Sequence, residues 1–206
     1  MNPFDAMYDG TPPWEIGRPQ PVFEQLLERG QIRGRVLDVG CGTGENALAF
    51  AAAGRAVVGV DVAEKAIRRA QIKARTRDLA ADFRVQDALS LHNLRGQLEG
   101  GANFDTVVDC GLFHAFTDQG RQAYRHSLAS VMRTGAELFV LCFSTEEPDW
   151  GGPRRVTAEE LRLTFDAPFA VESVRPARFE HLLQSGAAHA LLARVVYVGA
   201  VTSRNN

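Results

Sequence analysis

Cysteine is scarce and scattered: Cys41, Cys110 and Cys142 are the only three in 206 residues, and no C-x-x-C occurs. A disulfide framework or structural zinc centre has too few ligands at usable spacing, so a reducing, cytoplasmic setting is expected. Long apolar runs are missing as well; none approaches the ~18 residues of a membrane span. The opening residues MNPFDAMYDGTPPW lack both the basic start and the apolar stretch of a secretory signal. An excess of charge of one sign is also absent, since 23 Lys and Arg against 25 Asp and Glu leave a formal net charge of −2. Nucleic acid as the main partner would require a basic surface to neutralise phosphates, and membrane binding has no anchor, so neither is expected. No internal repeat, low-complexity tract or linker divides the chain.

What is present suits one ordinary globular core, with 45% hydrophobic and 23% charged residues. The expected organisation is a single domain over 1–206, with an N-terminal arm or lid over 1–30 and an α/β core over 31–206. The arm is rich in proline and aromatics, and Phe4, Tyr8, Trp14 and Ile16 are expected to bury against the core. A short helix is expected in QPVFEQLLERG, closed by Gly30. Beyond it, strand and helix alternate: GRVLDVG then GENALAFAAAG, AVVGVD then AEKAIRRAQIKART, DFRVQDAL, FDTVVDCGLFHAF then GRQAYRHSLASVM, and GAELFVLCFS. TAEELRLTF opens with a capping box from Thr157 to Glu160. Such alternation predicts βαβ units and a mainly parallel sheet. The last two runs, VESVRPARFE and HALLARVVYVGA, have no helix between them and are expected to pair antiparallel at one edge.

The first strand feeds Gly40-Cys41-Gly42-Thr43-Gly44 and then a helix starting near Glu45 and Asn46. Glycine permits unusual backbone angles and close approach of a ligand. The helix start offers free N–H groups and a positive dipole end. Ligands of open parallel sheets lie beyond the carboxyl ends of the strands, where strand order reverses. Asp61 ends the second strand, where a carboxylate can accept both hydroxyls of a ribose, and Asp87 follows the third, where it can receive the exocyclic amine of adenine. Together these describe an adenosine-containing ligand. Gly42-x-Gly44-x-x-Ala47 also fits a loose dinucleotide fingerprint. Glu45 and Asn46, however, crowd the turn where a pyrophosphate needs room, and Asp87 has no standard task in a dehydrogenase.

VLDVGCGTG, VVGVD, VQDAL and FDTVVDCGLFH, taken together over about residues 33–145, resemble the successive motifs of class I S-adenosylmethionine-dependent methyltransferases. The resemblance implies a Rossmann-like, seven-stranded, mostly parallel sheet with an antiparallel last strand and helices on both faces. It implies S-adenosyl-L-methionine as cofactor and S-adenosyl-L-homocysteine as product. By it the loop of Gly40, Cys41, Gly42 and Asn46 holds the methionine part, and Asp38 helps place its amino group through water. Asp61 holds the ribose, Val62 packs on adenine, Asp87 and the backbone near Ala88 hold the adenine edge, and Cys110 contributes backbone contacts beside the methionine. YDGTPPWEIGRPQP resembles the N-terminal TPW-x-x-G segment of thiopurine- and thiocyanate/halide-type methyltransferases, and more closely that of bacterial relatives including mycobacterial heterocyclic toxin methyltransferases. That likeness implies Trp14 over the cofactor, Arg18 near its carboxylate, and Tyr8 with the two prolines in a lid.

Methyl transfer to a neutral acceptor must shed a proton, which turns attention to DCGLFHAF after the fourth strand. The stretch lacks the Asn/Asp-Pro-Pro-aromatic pattern of many enzymes that methylate amino groups. His114 is the candidate catalytic residue, with the titration range of a base or of a group that orients an acidic acceptor. Tyr8, Phe113, Phe143 and Trp150 are candidate acceptor contacts, with Phe116 and Phe165 as further apolar walls. A covering arm and aromatic walls suit a small aromatic or heteroaromatic molecule with an ionisable hydroxyl, thiol or ring nitrogen. Asp109, Glu146, Glu147 and Asp149 are weighed as oxygen ligands for a metal, but the acidic loop shows no metal-site pairing and no metal is expected. The alternatives are a thiol/halide-type S-methyltransferase and a non-catalytic cofactor-binding module. Either a monomer or a homodimer is compatible with the sequence.

Overall fold

The computed structural model describes residues 3–199; residues 1, 2 and 200–206 of the expected domain lie outside the described residues. Seven strands form one sheet in the order β3-β2-β1-β4-β5-β7-β6. They are β1 (Arg35–Val39), β2 (Ala56–Asp61), β3 (Ala81–Val85), β4 (Phe104–Cys110), β5 (Met132–Phe143), β6 (Phe169–Glu180) and β7 (Ala187–Tyr197). Pairings from β3 through β5 are parallel, and β7 runs antiparallel to both of its neighbours. The expected closing hairpin is therefore present, with its second strand inserted beside β5 and its first at the edge. Pro176, Arg175 and Arg178 lie on that edge strand, where proline and charge discourage further strand pairing.

The central strands are continuous β-branched and leucine runs because both of their faces are covered. Alternation sends Leu37, Val107 and Leu138 to one core, which also holds Phe104, Tyr124 and Phe165. It sends Val36, Val108 and Phe139 to the other, which holds Phe23, Phe50 and Phe83. Chain order reverses between β1 and β4, whose register sets Asp38 beside Val108 and Val39 beside Asp109. Two acid-bearing strand ends thus meet at the crevice where α/β folds place ligands.

The helices are α1 (Pro3–Met7), α2 (Pro21–Glu28), α3 (Glu45–Ala52), α4 (Glu64–Thr76), α5 (Asp118–Ala129) and α6 (Ala158–Thr164). The capping box at Thr157 and Glu160 is formed. The arm is organised by α4, whose N-cap, Ala63, has no side-chain oxygen to offer. Asp5 of α1 supplies one instead, accepting the Lys65 N–H at 2.9 Å. Arg69 donates to the carbonyls of Tyr8 and Gly10, at 2.6 and 3.1 Å. These bonds bury Tyr8 against Ala63 and Ala66. Phe4, expected to bury, is 43% exposed, because the short α1 turns its acid rather than its ring toward α4.

Candidate active site

The turn after β1 carries positive φ at Gly40 (69°), Gly42 (54°) and Gly44 (85°), which accounts for glycine at all three. The protein's own side chains crowd this backbone. A Cβ on Gly42 would lie 2.6 Å from Glu15 Oε1 and 3.0 Å from the Tyr8 hydroxyl, and one on Gly44 would lie 2.7 Å from the Phe83 ring. At Gly40 it would meet Leu112 at 3.0 Å. The close approach that the sequence reading assigned to a ligand is in large part the arm and the core closing on the loop.

Asp38, Asp61 and Glu15 hold the turn and the start of the helix after it. Asp38 is fully buried; its Oδ2 accepts the Ala47 N–H at 3.2 Å, while Oδ1 has no hydrogen-bond partner in the protein. Burial, reinforced by Asp109 and Asp61, pushes its carboxyl up to about 7. A buried carboxylate oxygen without a donor costs about 1–3 kcal/mol, which a ligand ammonium reached directly or through water would relieve. The expected sulfonium cofactor carries that group, and the site fits it. Because the cation selects the ionised carboxyl, binding should expel the Asp38 proton. Cofactor affinity is expected to level off above pH 7 and to fall by up to about tenfold per pH unit below it. Calorimetry at pH 6 in two buffers of different ionisation enthalpy should show proton release. A pH-independent affinity would remove Asp38 from the ammonium site.

Asp61 Oδ2 accepts the Gly42 N–H at 2.9 Å and Oδ1 the Ala63 N–H at 2.8 Å. Each oxygen keeps a further lone pair for a ligand hydroxyl. Burial, with a contribution from the Glu15 charge, raises the Asp61 carboxyl. Val62, next along, is 39% exposed, leaving an apolar face for a flat ring. Asp87 accepts the Leu89 N–H at 2.8 Å and caps the 3-10 turns that begin at the buried Ala88.

The cleft itself lies under the arm, between Trp14 and Glu15 on one side and Gly40, Cys41, Asn46 and Cys110 on the other. Trp14 donates its indole N–H to the Tyr8 hydroxyl at 3.1 Å. Arg18 lines the cleft but is paired with Glu180. Gln20 clamps the backbone of Glu180 from both sides, at 2.8 and 2.9 Å, and gives its own N–H to Asn46 Oδ1 at 3.0 Å. Glu15, Gln20 and Phe179 are site residues that sequence reasoning missed. Glu15 was visible as the one acid inside the WEIG motif; Gln20 and Phe179 carry no local signal. Burial pushes the Cys41 and Cys110 thiols up, so neither is poised as a thiolate.

Next to Cys110, Asp109 is buried and holds the loop after β4. It accepts the N–H groups of Leu112 and Phe113 at 2.9 and 3.2 Å and the Tyr124 hydroxyl at 2.9 Å. Glu147 accepts from the Trp150 indole and the His189 N–H, both at 2.7 Å. Both acids are engaged by protein donors, and among the described residues no three His, Cys, Asp or Glu side chains converge as metal ligands.

His114, Phe143, Phe179 and Trp150 form a connected aromatic wall beside this loop. Phe143 lies 4.6 Å from His114, 5.1 Å from Phe179 and 5.9 Å from Trp150, centroid to centroid. Arg155 stacks over Trp150 at 4.8 Å and donates to carbonyls of the 147–153 loop, fixing that side of the wall. Two expected acceptor contacts lie elsewhere. Phe113 is in the core against Phe165, under the Arg121 guanidinium, because Asp109 turns the loop inward there. Tyr8 stands over Gly42, on the cofactor side of the cleft.

His114 is also corrected in its chemistry. Its Nδ1 accepts the Phe143 N–H at 3.0 Å, which places the proton of the neutral ring on Nε2. Burial, and then the charges of Arg121 and Arg155, push it down to about 3. Near neutral pH it is a hydrogen-bond donor and not a base. Nε2 lies 3.4 Å from the position of a Cβ on Gly111, the residue that follows Cys110.

Comparison with known proteins identifies the family. The family model for thiopurine S-methyltransferase (TPMT) matches residues 5–191. The chain is 36% identical over 186 residues to a 2-heptyl-1-hydroxyquinolin-4(1H)-one methyltransferase of Mycobacteroides abscessus, covering 85% of this chain and 79% of that one. It is 32% identical over 154 residues to probable thiol methyltransferase 2 of Arabidopsis thaliana, covering 73% of this chain and 65% of that one. A solved structure concerned with conversion of a disulfide bond into a thioacetal group during echinomycin biosynthesis superposes with a TM-score of 0.86 at 34% identity, covering 97% of this chain and 92% of that one.

Proposed function

Since the chain belongs to the thiopurine S-methyltransferase family, and is an S-adenosylmethionine-dependent methyltransferase, we propose that it methylates an ionisable hydroxyl of a small aromatic or heteroaromatic acceptor. The observation that carries this reading is the connected cluster of His114, Phe143, Phe179 and Trp150, which reaches the arm-covered cleft through Phe179, a lining residue together with Cys110. Phe143 and Phe179 pack on one another at 5.1 Å, so a flat acceptor would lie against the Phe179 ring where it lines the cleft. The relatives support the same class, one named for a hydroxyquinolone and another for a thiol. A thiol or ring-nitrogen acceptor is the second reading, favoured by the thiol-type relative.

The bound cofactor supplies an electrophilic methyl group on a sulfonium. The protein's part is placement and exclusion of water. Asp61 takes the ribose hydroxyls, Val62, Asp87 and Ala88 frame the adenine, and Asp38 receives the ammonium. The arm, residues 1–30, acts as a lid over the core. Trp14 is its cover, and Gln20 and Asn46 hold it to the glycine turn. The acceptor enters as its anion or loses its proton to water, because His114 is already committed as a neutral donor. Nε2–H then steadies the acceptor oxygen through one hydrogen bond. The free thiols, the near-neutral charge and the absence of a spanning helix among the described residues support a cytoplasmic protein. It would work on a small molecule as a monomer or homodimer, without nucleic acid.

Turnover of a panel of hydroxyquinolones, hydroxyquinolines and thiols, read as methylated product, tests the assignment. Cofactor binding without methylation of any of them would defeat it. His114→Ala is expected to lower kcat/KM for a hydroxyl acceptor by about 10- to 100-fold, the worth of a hydrogen bond to a charged group, with cofactor affinity unchanged. The wild-type pH profile should follow the acceptor's own ionisation. An enzyme inflection between pH 5 and 8 that vanishes in His114→Ala would restore the base role.

A further inference from the structure

Glu15 stands out in the cleft because the arm delivers it to the glycine turn and, among the described residues, it is in no ion pair there. Its Oε1 accepts the Thr43 N–H at 3.1 Å, its Oε2 accepts the Thr43 hydroxyl, and Oε1 sits 2.6 Å from the position of a Cβ on Gly42. Its charge reaches Asp61, the Tyr8 hydroxyl and the thiols of Cys41 and Cys110. Those groups surround the path from the ribose carboxylate to the strand-end cysteine. Among the described residues Glu15, Asp38 and Asp61 are bonded only by N–H and hydroxyl donors, and none is in an ion pair. The nearby cations are committed elsewhere. Arg18 is paired with Glu180. Lys73 reaches the Thr43 hydroxyl but pairs with Glu45 at 2.8 Å, and Arg77 pairs with Glu45 at the same distance. Two carboxylates hold the glycine turn, Asp61 through the Gly42 N–H and Glu15 through Thr43, and make this part of the cleft negative, with one Asp38 oxygen left unpartnered on the strand that feeds the turn.

Methyl transfer moves CH3 from a sulfonium to the acceptor. The sulfur keeps the electron pair of the broken bond, the acceptor gives up a proton or its negative charge, and the nucleoside product has one positive charge fewer than the cofactor. We propose that Glu15 makes the cleft discriminate by that charge, holding the sulfonium cofactor in preference to its thioether product and so favouring product release. The inference concerns the cofactor alone and goes beyond the acceptor proposed above, so it is tested without any acceptor present.

The test is calorimetry with S-adenosylmethionine and S-adenosylhomocysteine on the wild type, Glu15→Gln and Thr43→Val. Glu15→Gln keeps the shape and removes the charge. It is expected to weaken cofactor binding by about five- to tenfold and product binding by less than about twofold, narrowing the ratio of the two affinities by at least about threefold. Thr43→Val loosens the anchor of the arm and keeps the charge, so both affinities should fall together with the ratio preserved. Thermal melting checks that each variant is folded, and Glu15→Ala, with the same ratio as readout, replaces Gln if Gln does not fold. Equal loss for both ligands in Glu15→Gln, or a change of ratio in Thr43→Val as large as in Glu15→Gln, would show that Glu15 is only an anchor and overturn the proposal.

Discussion

Asp61→Ala is expected to weaken cofactor binding by about 100-fold, the loss of two hydrogen bonds from ribose hydroxyls to a carboxylate at about 1.5–3 kcal/mol each, partly offset by water. The same change frees the N–H groups of Gly42 and Ala63, which Asp61 now receives at 2.9 and 2.8 Å. Some stability is therefore lost as well, about 1–2 kcal/mol. The two effects separate in Asp61→Asn, whose amide oxygen can still serve one backbone donor but which has lost the charge. It should lose less stability than Asp61→Ala, although its amide NH2 faces the other backbone donor, and still bind cofactor poorly. Calorimetry and thermal melting on the pair decide the matter, and wild-type affinity in both variants would take Asp61 out of the adenosine site.

The largest effect on folding is expected at Gly44. Its φ of +85° already disfavours a side chain, and an added Cβ would press to 2.7 Å on the ring of Phe83 and 3.1 Å on Ala70. Phe83 cannot retreat, because it is buried and packs equally close over Gly59. Gly44→Ala combines left-handed strain of about 1 kcal/mol with overpacking of about 1–3 kcal/mol. The sum, about 3 kcal/mol, corresponds to a Tm lower by roughly 10 °C in a domain of this size. Gly54→Ala is the control, with φ at +76° and nothing within 4 Å of the new Cβ. It should lose only the backbone part, a few degrees. Equal losses at the two sites would mean that packing on Phe83 contributes nothing.

Much of the frame was legible from local pattern. Leu37 to Val39, Val57 to Val60 and Val107 to Val108 read as strands because runs covered on both faces need no polar alternation. The capping box at Thr157 and the glycine turn read correctly because each depends on residues a few positions apart. Asp38 and Asp61 were identifiable as the acids at two strand ends, and sheet order then brought their strands side by side.

By itself, then, the sequence determined the alternation of elements, the positions of the tight turns, and the acids placed at the strand tips, since each is set by neighbours along the chain. Only the tertiary structure decided which aromatics line the cleft. Phe113 went to the core and Phe179 came to the cleft from an edge strand, reached through β7. It alone decided that His114 is neutral, through burial and the charges of Arg121 and Arg155, and that Glu15 fills the space over Gly42. Protonation, desolvation and close approach depend on atoms that meet in space from far apart in the chain, and no periodicity in the sequence records those meetings.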